Sequence, residues 1–233
     1  MYSKADTHIH TTYSDGLMSP EDMIDHIARR TDLRVIAITD HDTTAGAFVA
    51  QAYARRHAPQ LDVIIGQEVT TREGDVVGLY MTSTLPPFET AAEAVEAIHS
   101  QNGLAVAVHP FSTLMTLGNM RGLGSRIFTL PLDGVEVHNG FPGNFICNPL
   151  SKWLNRYRGQ HLPALGGSDS HVPYTVGQGF TWFPGSTAAD LRQAIETNTI
   201  RAGGSLWTIP SLIGLFSTLS QTGFRSHKRA FSE

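Results

Sequence analysis

The chain predicts a single α/β domain whose strands close, or nearly close, into a barrel. Three observations carry that prediction. Short apolar runs alternate with amphipathic helical patterns from residue 5 to residue 198 with no linker between them, as in a parallel sheet covered by helices. Seven or so such units are present, a number that favours a closed barrel over an open sheet. Nearly every residue capable of chemistry falls where one of these strands stops, and such barrels gather their working groups at one mouth.

Taken in order, residues 5–11 are polar at alternate positions, as in a first strand that ends at a mouth. Ser19-Pro20-Glu21-Asp22 then supplies an N-cap, a first-turn proline and two acids, opening a helix over 20–30 with Met23, Ile24 and Ile27 on its apolar face. The continuous apolar run at 35–39 suits a strand buried on both faces. A helix over 44–57 follows, then strands at 63–65 and 76–81, and an Ala-rich helix over 90–101 that Asn102-Gly103 can end. Strands at 104–108, 132–137 and 162–165, a helix over 149–158 and an amphipathic helix over 187–198 complete the pattern. The segments 82–89, 110–131 and 139–148 are rich in Pro, Gly, Ser and Asn and read as loops. Residues 1–204 are thus expected to form the barrel. Residues 205–233, apolar from Leu206 to Leu219 and basic at Arg225, Lys228 and Arg229, are expected to form a docked strap with a basic tail, or a contact with a partner or second copy.

Composition narrows the function. The 233 residues are 41% hydrophobic and 16% charged, which is globular rather than disordered. Seventeen Lys+Arg against 21 Asp+Glu leave −4, so stable duplex DNA binding over the whole surface is not expected, although a small basic pocket is compatible. Cys147 is the lone cysteine and has no internal disulfide partner. No apolar run approaches the roughly 20 residues of a transmembrane helix, and the N-terminus carries no basic-then-apolar signal pattern, so a cytoplasmic location is expected. Histidine is abundant, with 11 against only three lysines.

Asp6, His8 and His10 are spaced by two and share one face of the first strand, with Asp15 just beyond. The second strand ends in Asp40-His41-Asp42 and the third in Glu68, while the fourth begins with Asp75. The fifth ends in His109-Pro110, the sixth in Glu136-Val137-His138-Asn139 and the seventh in Gly166-Gly167-Ser168-Asp169-Ser170-His171. Each piece alone is ambiguous, since a strand-end acid often caps a helix and a His-x-His pair is often strand decoration. Together they imply many ionisable groups buried in one place. That is costly unless divalent cations neutralise the carboxylates and use the imidazole lone pairs. His26, His57, His99, His161 and His227 lie on helices, in a loop or in the tail and read as surface or internally satisfied residues.

The ordered set Asp-x-His-x-His, Thr-Asp-His-Asp, Gly-x-Glu, His-Pro and Gly-Ser-Asp-Ser-His resembles the PHP (polymerase and histidinol phosphatase) family over residues 4 to about 203. The resemblance implies a distorted (β/α)7 barrel with two or three divalent ions (manganese, iron or zinc) at the carboxyl ends of its strands. It implies one ion held by His8, His10, Glu68 and Asp169, a second bridged by Glu68 to His109 and Asp75, and a third on Asp15, His41 and His171. Where many members place a histidine, this chain has Asp75, a harder ligand that favours manganese or iron(II) over zinc. Asp6 and Asp40 are expected to accept imidazole N–H bonds, and Glu136 to serve as a support. His138 is expected to point the same way as Glu136, nearer the mouth.

What the resemblance further implies is hydrolysis of a phosphoester, for which a hydroxide held between ions is the suited nucleophile. The leaving alkoxide then needs a proton, for which His138, Asp42 and a metal-bound water are the candidate donors. Arg121, Arg126 and Arg201 are the candidate phosphate contacts. The expected partner is a small phosphorylated compound or the end of a nucleotide or oligonucleotide; only 59 residues separate His109 from Asp169, so any lid is small. Two other readings stand beside this one. A metal-dependent amidohydrolase also uses His-x-His, but no lysine lies between Lys4 and Lys152 to supply the carboxylated bridge of many binuclear members. A non-catalytic accessory module of the same fold would bind metal without turnover.

Overall fold

The structure, a computed structural model, describes residues 1–112, 121–158, 160–205 and 213. Its elements run β1 (Tyr2–Ile9), α1 (Pro20–Arg30), β2 (Leu33–Ile38), α2 (Ala45–His57), β3 (Asp62–Val69), β4 (Val76–Leu79) and α3 (Ala91–Ser100). They continue with β5 (Leu104–Ala107), β6 (Gly134–Asn139), α4 (Cys147–Tyr157), β7 (Ala164–Gly167), β8 (Gly179–Pro184), α5 (Ala188–Glu196) and β9 (Arg201–Gly204). The helix starts follow local chemistry. Ser19 Oγ accepts the Asp22 N–H ahead of α1, and Thr90 with Glu93 and Thr187 with Asp190 form capping boxes on α3 and α5.

The nine strands form one mixed sheet in the order β7-β6-β5-β4-β3-β2-β1-β8-β9, nearly closed into a barrel. Pairings β1–β2, β2–β3, β5–β6 and β6–β7 are parallel, whereas β4 is antiparallel to both of its neighbours. A wholly parallel sheet is therefore corrected. Only residues 70–75 join β3 to β4, and a parallel crossover needs roughly a dozen residues or more. The reversal brings the start of β4, and Asp75 with it, to the mouth where β3 ends. The hairpin of β8 and β9, which the sequence pattern did not reveal, runs antiparallel beside β1.

Alternation sorts the side chains. Val35 and Ala37 join Ala5, Ile64, Val106 and Leu165 in an inner apolar cluster against Leu191 and Ile195 of α5, while Ile36 and Ile38 pack outward with Met23, Ile24 and Ala47. The ring closes where β7 meets β1 and β8. Ile9 bridges Ser170, His10 N–H donates to the Ser170 carbonyl at 2.9 Å, and Gly166 N–H donates to Thr181 Oγ1 at 2.9 Å. A methyl group on Gly179 would fall onto the Gly167 carbonyl. Gly179→Ala is accordingly expected to destabilise the protein by about 3 kcal/mol, read as a lowered urea midpoint; an unchanged midpoint would contradict this seam.

No helix among the described residues is long and apolar enough to cross a membrane. The strap and basic tail expected over 205–233, His227 included, fall almost wholly outside the described residues.

Candidate metal centre

The strand ends bring nine of the singled-out side chains together. Glu68, at the end of β3, lies at the middle. Its Oε2 is 3.2 Å from His8 Nε2, 3.2 Å from His10 Nε2 and 3.4 Å from His41 Nδ1, and its Oε1 is 3.1 Å from His109 Nε2. Asp169 Oδ1 stands 3.5 Å from His8 Nε2 and 3.3 Å from His10 Nε2. Asp15 faces His171 Nε2 at 3.1 Å, His10 Nδ1 at 3.6 Å and His41 Nε2 at 3.7 Å. Asp75 is fully buried and shares a group with Glu68 and His109.

Four overlapping sets therefore have ligand atoms within 4.8 Å of one another: His8/His10/Glu68, His8/His109/Asp169, Glu68/Asp75/His109 and His10/Asp15/His41/His171. The fit to cations is chemical as well as geometric. His10 Nε2 lies near two carboxylates, yet neither of its ring nitrogens, both buried, makes a hydrogen bond of acceptable geometry. Lone pairs that converge on a common point, rather than donor facing acceptor, are what a divalent ion requires.

Local backbone conformation serves this convergence. His109 and Asp169 have φ of 30° and 53°, in the left-handed region that costs an ordinary side chain about 1 kcal/mol or more. Asp75 follows Gly74 at φ 134°, where a methyl would press on the Gly122 and Leu123 backbone at 2.8 Å.

With protons alone in the cluster, opposed effects set the titration. Burial pushes the His8 and His10 imidazoles down, but Asp169 and Glu68 outweigh it, leaving His8 well above its usual value and His10 at about 10. Burial also opposes the rise of His109, which Glu68 imposes. Burial would raise Glu68, Asp169 and Asp15, yet the surrounding imidazoles hold all three well below the carboxylate range.

Glu136 lies where a support should. Its Oε1 is 3.4 Å from His8 Nδ1, and its Oε2 accepts the His109 N–H and the Asn139 Nδ2–H, each at 2.8 Å. Asn139 also donates to Asp169 Oδ2 at 3.3 Å. That residue had no assigned part, although the Glu-Val-x-Asn spacing on the same strand was its signal. Ser112 Oγ beside His109 Nδ1, at 3.4 Å, had no comparable signal.

Other expectations need correcting. Asp6 accepts backbone N–H groups of Ser168 (2.9 Å), Gly177 (2.8 Å) and His8 (3.3 Å), not an imidazole, and burial, only partly offset by these bonds, pushes it up to about 6. Asp40 likewise receives Thr11 N–H and Oγ1–H and Ser14 Oγ–H, pinning the turn after β1. Both aspartates shape the backbone that carries the histidines. His138 does not share a face with Glu136. An irregularity in the β6–β7 register between these two positions turns the side chain away, so that Nε2 is buried against Gly204 and the Gln178 carbonyl. Asp42 is spent on the Thr70 N–H at 2.8 Å. Arg126 pairs with Glu73 at 3.1 Å, the Arg121 carbonyl accepts the Asp75 N–H at 2.7 Å, and Arg201 lines a cleft with His138. His57 stacks on Tyr53, His26 meets Tyr174 edge-on, and His99 pairs with Asp133 at 2.8 Å, all outside the cluster.

Comparison with known proteins agrees with this architecture. A PHP-associated family (PHP_C) matches residues 155–200. An uncharacterized protein of Methanocaldococcus jannaschii is 35% identical over 159 residues, 64% of this chain and 88% of that one. A 5′-3′ exoribonuclease of Haemophilus influenzae is 32% identical over 110 residues, which is 46% of this chain and 39% of the exoribonuclease. Among solved structures, a two-domain protein from Bacteroides vulgatus containing a predicted PHP-like metal-dependent phosphoesterase superposes with a TM-score of 0.71. That likeness has 18% identity and covers 94% of this chain and 70% of the other.

Proposed function

Since the chain belongs to the PHP family of metal-dependent phosphoesterases, we propose that it hydrolyses a phosphoester at the end of a nucleotide or short oligonucleotide. The observation that carries this reading is the convergence of four ligand sets, two of them sharing the Glu68 carboxylate. His8, His10, Glu68 and Asp169 would hold one ion; Glu68, Asp75 and His109 a second; Asp15, His41 and His171, with His10 alongside, a third. Bound there, divalent ions supply an acidified water and positive charge against the phosphoryl oxygens.

The chain's own groups do the positioning. Glu136 faces His8 Nδ1, which keeps a proton on that nitrogen and leaves the Nε2 lone pair directed at Glu68 and Asp169. The same carboxylate fixes the His109 backbone, and Asn139 steadies Asp169. Substrate enters beside Asp15 and His171, whose side chains are 19% and 35% exposed while their partners are nearly sealed. Glu68 stands where many amidohydrolases use a carboxylated lysine, and no lysine lies between Lys4 and Lys152. This supports phosphoester over amide hydrolysis.

The test is a hydrolysis panel of nucleoside bisphosphates, p-nitrophenyl phosphate and short oligonucleotides after loading with manganese, iron(II) or zinc. Metal-dependent turnover of at least one is expected. Loaded protein inert to all would point instead to an accessory module.

The cluster also predicts how metal binding depends on pH. His8, His10 and His109 hold protons above the ordinary imidazole range, so an incoming cation must displace them. Apparent metal affinity should rise by roughly tenfold per pH unit for each proton displaced. Calorimetry at pH 6, 7 and 8 in buffers of different ionisation enthalpy checks this; affinity independent of pH would contradict it. In chelated protein, the raised imidazoles stabilise the fold fully below 6.5 and lose that contribution as pH climbs through their folded values, about 10 for His10. Asp6, raised from 3.8 to about 6, loses its contribution over that lower interval. The lowered carboxylate of Glu68 contributes above 4.5 and fails as pH falls. The melting temperature of the chelated protein should therefore peak at about pH 4.5, decline gently towards pH 6 as Asp6 ionises, and fall further on either side of that range.

A further inference from the structure

Away from the metal cluster, α4 carries two features that the mouth does not use. One edge bears Lys152 and Arg156, which with Arg201 at the base of β9, Asn155, His138 and Ile200 line a cleft of about 340 Å³. Among the described residues, no carboxylate pairs with any of these three cations. In a chain of net charge −4, three uncompensated cations at one cleft form a local positive field. The adjoining edge bears Trp153 and Tyr157, 50% and 61% exposed, with ring centroids 5.9 Å apart and the Arg156 guanidinium 5.4 Å from the Tyr157 ring centre. Lys152 with Trp153, and Arg156 with Tyr157, are consecutive pairs, so each cation sits about 100° around the helix from its aromatic neighbour. One ridge is basic and the ridge beside it is aromatic.

We infer that this face of α4 is a binding track for single-stranded nucleic acid, with bases stacked on Trp153 and Tyr157 and phosphates held by Lys152, Arg156 and Arg201. Aromatic platforms beside a cationic groove are how single strands are held without sequence preference, because every base has a π-face. A second copy of the chain would be served by the apolar ridge alone and would leave the cations unmatched. The track also leads to the right place. Asn148, in the first turn of α4, accepts the Asn139 N–H and donates to its carbonyl, both at 2.9 Å, and Asn139 in turn holds Asp169 of the metal cluster. From Ile146 to Tyr157 the helix extends about 16 Å, enough to support nucleotides beyond the one being cleaved. The assignment rests on the phosphoesterase reading for its purpose, and narrows the substrate from any phosphoester to a polymer end.

The test is fluorescence anisotropy of the full-length, metal-loaded protein with a labelled oligothymidylate of about eight nucleotides, inside the range of single-strand site sizes. Phosphorothioate linkages slow its hydrolysis. Lys152→Glu/Arg156→Glu and Trp153→Ala/Tyr157→Ala are each expected to weaken binding at least about tenfold. Lys152→Ala/Arg156→Ala should also make the slope of log affinity against log salt shallower by about 1.4, two phosphate contacts at roughly 0.7 each. All these side chains are exposed, so melting temperatures should stay at the wild-type value and serve as the control for folding. Absence of binding, or equal binding by wild type and the double variants, would overturn the assignment. So would an aromatic double variant that alters only the oligomeric state in sedimentation. Strand binding by a loaded protein that cleaves no phosphoester would leave the track standing and remove the hydrolytic reading instead.

Discussion

Replacing Glu68 by Gln is expected to lower phosphoester turnover by roughly 10³-fold, the scale of losing a principal electrostatic stabiliser of the transition state. The substitution keeps the side chain's shape and removes its charge. Glu68 faces His8, His10, His41 and His109 at 3.1–3.4 Å, so no other carboxylate can take its place between the two inner ligand sets. Metal content should fall to the ion held by His10, Asp15, His41 and His171. A variant that retained its full metal complement and more than a tenth of its activity would show that the carboxylate does not bridge.

Stripping the cations should destabilise the fold by a comparable margin. Free metal at a thousand times its dissociation constant contributes about 4 kcal/mol per site. In a domain of this length each kcal/mol shifts the melting temperature by about 2–4 °C. Loss of two or three ions is then expected to lower the midpoint by about 15 °C or more at pH 7.5. Scanning calorimetry before and after exhaustive chelation reads this directly, and re-addition of manganese should restore the midpoint. A shift below about 3 °C would mean that the buried cluster is stable on protons alone.

How much of this was legible depended on the range of the interaction that decided it. The spacing of His8 and His10 places both on one strand face because strand periodicity is local, and both lie in the cluster. The strand-end positions of His41, Glu68, His109 and Asp169 follow from barrel topology, so their convergence could be anticipated without coordinates. Asp75 was placed by resemblance; the reversal of β4 explains how the start of a strand reaches a mouth built from strand ends.

His138 was misread for a physical reason. Two-residue periodicity puts it beside Glu136 only if β6 stays regular, and the register irregularity between them cannot be seen in the amino acids themselves. Asp6 and Asp40 were misread because a carboxylate next to histidines has two kinds of donor in reach. Here backbone N–H groups of the turns, which must be satisfied when buried, took them. The β8–β9 hairpin escaped notice because its glycines at 179, 203 and 204 weaken the strand pattern. Those same glycines allow the backbones to approach closely.

The account stands on cations being held by the residues that converge around Glu68. Elemental analysis of the intact protein, purified without chelator, tests that most directly. At least two transition-metal ions per chain are expected, falling when Glu68 is replaced by Gln; a native preparation with none, fully folded, would contradict the account.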